Sequence, residues 1–363
     1  MEIIKITKDN YKSYLNFVKN LYLKNPLCRD SMTNLLKDIL LGKSVICNSI
    51  QMESYIVVKD NQPIMGCVLA IVDRMSDILQ MSFFEASDDS KEAFDMLYEK
   101  AEEMAKLNGC KQISAGLNIH VNYGLGFLSS HYDTKQSFGL AYNPPFYHTL
   151  FESKGFEPIE MVTYQSPMAD FKIPISDRFK KRIRSRYTVR KADFKQIKRE
   201  AQIYTQVNNN AFSDHLFYFE RRLEEDLELF NDFKYFLNEE NLLFVERDNK
   251  PVGFMLWYPD YHELMRNHES LGLETVIKNR VFRNAIKKFK IVEMGVVESE
   301  QKKGAIVALF DALHGYVKDK YETCESGWIL KANKDSSQFG VKWSQGEYKS
   351  YKAYIKDLDY EVS

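Results

Sequence analysis

Apolar residues recur along this chain with two periods, and their alternation outlines one order of elements that occurs twice. In the first half a short strand at residues 3–6 precedes a helix at 9–22, ended by Asn25-Pro26, and residues 30–42 read as helix again. Strands at 55–59 and 64–72 flank the turn Asp60-Asn61-Gln62-Pro63 and form a hairpin. A strand at 79–84 leads into a helix at 90–107, where Ala93, Leu97, Ala101 and Met104 share one face and Asn108-Gly109 is the stop. A strand at 112–117, a helix from Asn143-Pro144-Pro145 to Gly155-Phe156 and a strand at 159–164 complete this half.

Residues 166–186, with Pro167, Pro174 and a basic run from Arg178 to Arg186, read as a linker between domains at 1–165 and 187–363. The order then starts over. A strand at 187–191 is followed by helices at 193–208 and 215–230, a strand at 242–247, the turn Asp248-Asn249-Lys250-Pro251 and a strand at 252–257. A strand at 291–297, a helix at 304–318, a strand at 325–330 and a helix beginning near Asn333 follow. The two Asp-Asn-x-Pro turns are nearly identical and sit at the same place in each half, which marks an internal repeat.

Composition adds limits to this outline. A length of 363 residues suits two domains, and 44% apolar with 28% charged residues is the balance of a folded soluble protein. A formal net charge of −1 argues against nucleic acid as a partner. The N-terminus lacks the apolar stretch of a signal peptide and no segment has the length of a membrane span, so a cytoplasmic protein without membrane attachment is expected. Five scattered cysteines and seven histidines show no ligand spacing, and no metal is expected.

Chemistry concentrates where the strand at 291–297 passes through Lys302, Lys303 and Gly304 into a helix. The first turn of a helix leaves backbone N–H groups unpaired and carries partial positive charge, which suits a pyrophosphate. Gln301-Lys302-Lys303-Gly304-Ala305 resembles the acyl-CoA loop of the GNAT acyltransferases, Gln/Arg-x-x-Gly-x-Gly/Ala, with Ile306 in place of the second small residue. The order of elements in each half is also that of the GNAT fold. The chain resembles a group of two-domain GNAT-like proteins through Tyr142-Asn143-Pro144-Pro145-Phe146-Tyr147, Gly155-Phe156, Gly116-Leu117-Asn118 and Pro259-Asp260-Tyr261.

This resemblance implies an α/β (α+β) chain of two tandem GNAT folds, each a mixed central sheet flanked by helices. It implies acetyl-CoA or another acyl-CoA as cosubstrate and transfer of the acyl group to an amine of a small molecule. Val296 or Val297 would bond the pantetheine. Main chain from Lys302 to Ile306 would hold the pyrophosphate, with Gln301 and Asn333 beside the cofactor. Aligning Ala93 with Ala305 puts Glu92 opposite Gly304, and an acidic helix start repels pyrophosphate, so only the second half is expected to bind CoA. Glu293, a carboxylate inside an apolar strand, is the candidate base, with His262 as an alternative. The helix that usually carries a tyrosine acid contains none here, and Ser336 or Ser337 could donate to the leaving thiolate instead. Acceptor contacts are expected between the halves, from Asn118, Tyr142, Asn143, Tyr147, Trp257, Asp260 and Tyr261, in a monomer or homodimer. Two other readings fit the same pattern: a non-catalytic ligand-sensing or scaffolding protein, and an aminoacyl transferase resembling the tandem-GNAT enzymes of peptidoglycan bridges.

Overall fold

A computed structural model describes residues 1–29, 33–171, 175–267, 269–282 and 284–358. Two compact units make up the chain. Unit 1 comprises Met1–Met161, Met265–Leu271 and the described part of Lys349–Ser363, and unit 2 comprises Val162–Leu264 and Gly272–Tyr348.

Unit 1 contains β1 (Glu2–Ile6), α1 (Tyr11–Tyr22), α2 (Thr33–Leu40), β2 (Ile50–Lys59), β3 (Gln62–Val72), β4 (Ile78–Ala86), α3 (Lys91–Leu107), β5 (Gln112–Ala115), β6 (Phe127–Leu128), α4 (Phe146–Ser153) and the start of β7 (Glu157–Pro167). Its sheet runs β1-β2-β3-β4-β5, antiparallel throughout except for the parallel β4–β5 pair. Parallel neighbours need a crossover connection, and α3 supplies it.

Unit 2 repeats this plan. After the end of β7 come α5 (Asp177–Arg186), β8 (Thr188–Lys191), α6 (Ile197–Ala211), α7 (Leu223–Phe233), β9 (Leu242–Arg247), β10 (Lys250–Pro259), α8 (Leu273–Val281), β11 (Lys288–Val296), α9 (Ala305–Val317), β12 (Thr323–Ser326), β13 (Ile329–Leu330) and α10 (Lys334–Trp343). The sheet order is β8-β9-β10-β11-β12, again with one parallel pair, β11–β12.

The last place in each sheet is filled by exchange. Residues 165–167 of β7, which follow the helices of the first half, pair with β12 of unit 2. The chain's final strand, β14 (Gly346–Asp357), pairs through residues 354–357 with β5 of unit 1 and through Tyr351 and Lys352 with β6.

The repeated turns are alike in backbone as well as in sequence. Asp60 and Asn61 have φ of 49° and 62°, and Asp248 and Asn249 have 53° and 59°. Two successive positive φ values are the requirement of a two-residue hairpin turn, which Asp and Asn tolerate better than other non-glycine residues.

Each sheet carries its crossover helix on an apolar face. In unit 1, Ala93, Leu97, Ala101 and Met104 are all buried, and Phe127 and Phe151 stack at 5.3 Å, with Tyr354 of β14 stacked on Phe151 at 5.5 Å. In unit 2, Leu309, Leu313 and Val317 of α9 pack with Trp257, Phe289 and Ile291, while Tyr204 and Val207 of α6 share a second core with Phe230, Phe244 and Phe254.

Some expected boundaries move. Residues 176–186, read as linker, carry α5, capped by the Ser176 hydroxyl on the Phe179 N–H, and residues 172–174 of that linker lie outside the described residues. The expected helix at 215–230 begins only at Leu223. The helix expected at 30–42 is found as Thr33–Leu40, with residues 30–32 outside the described ones, as are the last five residues of the 187–363 domain. The final strand was not read from the pattern at all.

Removing β14 by a stop codon after Gln345 would take Tyr354 from the aromatic core of unit 1 and leave β5 without its outer neighbour. Hydrogen exchange should then show the amides of Ile113 and Ala115, which face β14, losing protection while the Gln112 amide keeps its bond to the Asp77 carbonyl, and unchanged protection at 113 and 115 would contradict the pairing.

Candidate active site

The parallel pair of unit 2 is short. β11 and β12 are matched only from Lys288↔Thr323 to Ile291↔Ser326, and the Gly327 N–H closes on the Ile291 carbonyl at 2.6 Å. Beyond that point β11 continues to Val296 while β12 has ended. A bulge sits at the parting: Leu256 is opposite Glu293 and Trp257 opposite Ile291, which leaves Val292 as the extra residue. Such a bulge re-aims the side chains on either side of it. Ile291 therefore joins the α9 core, and Glu293 faces α6.

After β11 the chain makes a short turn at Glu298–Glu300 and enters the Lys302–Gly304 loop. Lys302 has φ of 58° and Gly304 has φ of 102°. A Cβ on Gly304 would also stand 3.1 Å from Ile183 Cγ1 of α5, so glycine suits the positive φ and lets Ile183 pack close. Gly304 is the residue capping α9, and among the described residues no side chain caps the amides behind it. Ala305 is buried, and Ile306 packs its side chain against the unit 2 core.

Glu300 fixes this loop from below. Its carboxylate accepts from the Tyr187 hydroxyl at 2.7 Å and pairs with Arg186 at 3.1 Å, with Arg247 and, at 3.6 Å, with Lys303. The Tyr187 hydrogen bond leads the causes that hold its pKa down to about 2. Of the two lysines, Lys302 pairs with Asp335 at 2.9 Å, both largely exposed, and Lys303 donates to the Ser299 carbonyl at 2.5 Å. Exposed pairs of this kind are weak, so the backbone is the durable part of the loop. Gln301 donates to the Val296 carbonyl at 3.3 Å, and the Val297 N–H is taken by Val252 at 2.9 Å.

The Lys302–Asp335 pair also brings the first turn of α10 beside the loop. Asn333 caps that helix, accepting from the Ser336 N–H at 3.0 Å. Ser337 follows, and its buried hydroxyl has no hydrogen-bond partner among the described residues.

The matching helix start in unit 1 is closed. Ser90 caps α3 through the Ala93 N–H at 3.3 Å, Asp88 accepts from the Ser90 N–H at 3.1 Å, and Glu92 lies in the first turn. The parting of β4 and β5 is stitched across as well. Ser82 Oγ donates to the Leu117 carbonyl at 2.7 Å and accepts from the Ile119 N–H at 3.1 Å, and Asn118 Oδ1 accepts from the Phe83 N–H at 2.7 Å.

Glu293 sits in a network that single-residue reading missed. Its Oε1 accepts from Asn208 at 2.8 Å, and its Oε2 accepts from the Tyr204 hydroxyl. Tyr204 accepts in turn from Arg221 at 3.2 Å, and Arg221 pairs with Asp226, a fully buried partner whose burial raises its pKa to about 6. His215 lies within electrostatic reach of Glu293, and burial lowers its pKa. These partners come from α6 and the segment after it, and only the four-residue spacing of Tyr204 and Asn208 on α6 hinted at a shared face.

Other expected residues are placed elsewhere. Trp257 donates to the Glu240 carbonyl at 2.6 Å and Tyr261 to the Phe236 carbonyl at 2.5 Å, both within the unit 2 core. Asp260 accepts from the His262 N–H at 3.1 Å, and its burial raises its pKa to about 7; His262 is itself buried. In unit 1, Asn118, Tyr142, Asn143 and Tyr147 line one cavity of about 150 Å³, although Asn143 is spent on clamping Leu128 through bonds of 2.6 and 3.2 Å. Glu85, on the same wall, was not singled out from the sequence.

Among solved structures, a tandem GNAT protein from the clavulanic acid biosynthesis pathway superposes with a TM-score of 0.57, covering 99% of both chains at 9% identity. The chain has the tandem GNAT fold. No family model matches this chain. Two curated relatives do: Protein YghO of Escherichia coli, 21% identical over 97% of this chain and 94% of its own, and the bacterial ceramide synthase of Caulobacter vibrioides, 22% identical over 75% and 74%. No helix among the described residues is long and apolar enough to cross a membrane.

Glu85 provides a test of electrostatics in unit 1. Burial raises its pKa to about 7, against the lowering effect of hydrogen bonds from Tyr22 and Tyr147. The folded state then holds this proton more tightly than the unfolded chain, whose glutamates titrate near pH ~4.3. Its stabilising contribution is complete below the unfolded pKa and is lost as pH rises through about 7. Urea unfolding of Glu85→Gln against the unmodified chain should favour the variant by roughly 1–3 kcal/mol more at pH 8 than at pH 4. A difference independent of pH would show that Glu85 is not so buried.

Proposed function

We propose that this protein is an acyl-CoA-dependent N-acyltransferase whose second unit binds the cofactor and whose acceptor is an amine of a small molecule. The observation that carries this reading is the helix start behind Gly304. Among the described residues no side chain caps its amides, and it follows the strand that outruns its parallel neighbour, whereas the corresponding place in the first unit is capped and stitched. A pyrophosphate would complete the hydrogen bonding of α9, and the pantetheine would run along residues 292–296 of β11. Acetyl is the simplest acyl group. The relative named ceramide synthase supports amide formation with longer chains too, since a ceramide is an N-acylated amino alcohol.

In this reading the amine nitrogen attacks the thioester carbonyl carbon, the C–S bond breaks, and the nitrogen loses a proton. Glu293 accepts that proton, with Tyr204 and Asn208 holding the carboxylate in place. The Ser337 hydroxyl, without a partner among the described residues, donates to the departing thiolate. His262, the alternative base, is buried in a turn and fits the role less well.

Calorimetric titration with CoA and acetyl-CoA tests the cofactor. Binding should be seen with the unmodified chain and lost in Gly304→Glu, with thermal melting as the folding control. An unmodified chain that binds neither ligand would remove the enzyme reading and favour a scaffolding protein, and equal binding by both proteins would move the site elsewhere.

For Glu293, the pH–rate profile of Glu293→Gln with an amine acceptor should lose its acidic limb, with kcat down roughly 10²–10⁴-fold. An unchanged profile would reject the base role.

A further inference from the structure

The cavity of unit 1 is unlike a packing defect. Its walls include Phe84, Leu125, Phe127 and Leu140, and set among them is the carboxylate of Glu85. That side chain lies on β4 opposite Gly66, where the absence of a Cβ lets Tyr14 pack closely and leaves Glu85 directed toward α1 and α4. Tyr22 of α1 donates to Glu85 Oε2 at 2.6 Å, and Tyr147 of α4 donates to the same oxygen at 2.8 Å while accepting from the Ala86 N–H at 2.6 Å. Both tyrosines thus converge on one oxygen. The second, Oε1, has no hydrogen bond among the described residues.

A carboxylate in such a place is normally paired with a cation. Here none of the described cations forms a salt bridge with it. Arg29 borders the cavity but spends Nε on the Met265 carbonyl at 2.9 Å and Nη1 on the Pro26 and Cys28 carbonyls at 2.8 and 2.7 Å. Lys19, also at the cavity, is exposed. Burial has pushed the Glu85 pKa to about 7, a cost that a cation in the cavity would relieve. A volume of about 150 Å³ is that of an engineered cavity known to hold benzene, which sets the size of the occupant.

We propose that this cavity binds a primary amine carried on a compact apolar group, with the ammonium on Glu85 Oε1 and the hydrocarbon against Phe84, Phe127 and Leu140. The two tyrosines orient the carboxylate and leave its free edge to the ligand. The inference deepens the acyltransferase reading only in giving an amine a place to bind; its readout is binding alone, so it fails or stands separately from CoA binding and turnover.

Calorimetry of the full chain with hexylamine and, as an uncharged match in shape, hexan-1-ol tests it. At pH 8 the amine should bind roughly ten- to a hundredfold more tightly than the alcohol, the range of a charge-assisted hydrogen bond. The preference should weaken toward pH 5, because the amine stays protonated while Glu85 gains its proton. Glu85→Gln should abolish the preference while still melting cooperatively. Tyr22→Phe should keep it in reduced form, which serves as the second variant if Glu85→Gln fails to fold. Equal affinity for amine and alcohol, an unchanged preference in Glu85→Gln, or no amine binding up to millimolar concentration would each overturn the proposal, even where acetyl-CoA binds.

Discussion

Everything distinctive in this protein follows from a parallel strand pair that stops early. In each unit two neighbouring strands run side by side for four residues and then part, because the first must carry on toward its crossover helix while the second turns away. Backbone polar groups exposed at such a parting need partners. Unit 1 supplies them from its own side chains, Ser82 and Asn118. Unit 2 follows the parting with a glycine loop, an uncapped helix and a buried glutamate, Glu300, that holds the loop's base. One half has closed its parting with side chains, and in the other the corresponding helix start follows a glycine loop.

The halves also differ in where they bury a carboxylate. The repeated turns relate Gly66 to Phe254 and Val68 to Leu256. Their partners across the ladder are Glu85 and Ser82 in one unit, Gly295 and Glu293 in the other. The acid has moved along the strand, and its partners have changed with it: two tyrosines and a cavity for Glu85, a tyrosine, an asparagine and an Arg–Asp pair for Glu293. A duplicated fold can therefore hold two dissimilar polar sites on equivalent strands, because the sheet geometry is indifferent to which residue supplies the charge.

Much of this was legible in the sequence, and the reasons are physical. Apolar periodicity and the twin Asp-Asn turns reflect local geometry, so strands, helices and the repeat could be read directly. Gly304 and the acidic start of the helix at 90–107 were visible for the same reason, since a helix start is a local event. What could not be read were contacts set by distant packing. Glu85 gains its meaning from Tyr22 and Tyr147, more than 60 positions away on either side, and Glu293 from residues 72 to 89 positions before it. The basic run became the helix α5 through a single buried residue, Ile183, seated on Gly304, and the closing strand β14 alternates too weakly around its lysines to stand out.

The exchanged final strands bear on the order in which the molecule is made. Most of unit 1 is translated before unit 2, yet the strand that borders β5 and the tyrosine that stacks on Phe151 follow the whole of unit 2 in the chain. Unit 2, by contrast, receives its borrowed strand before its own sheet exists. The first unit must wait, with an open sheet edge, until unit 2 has been translated, and the second meets its borrowed strand as soon as β12 appears.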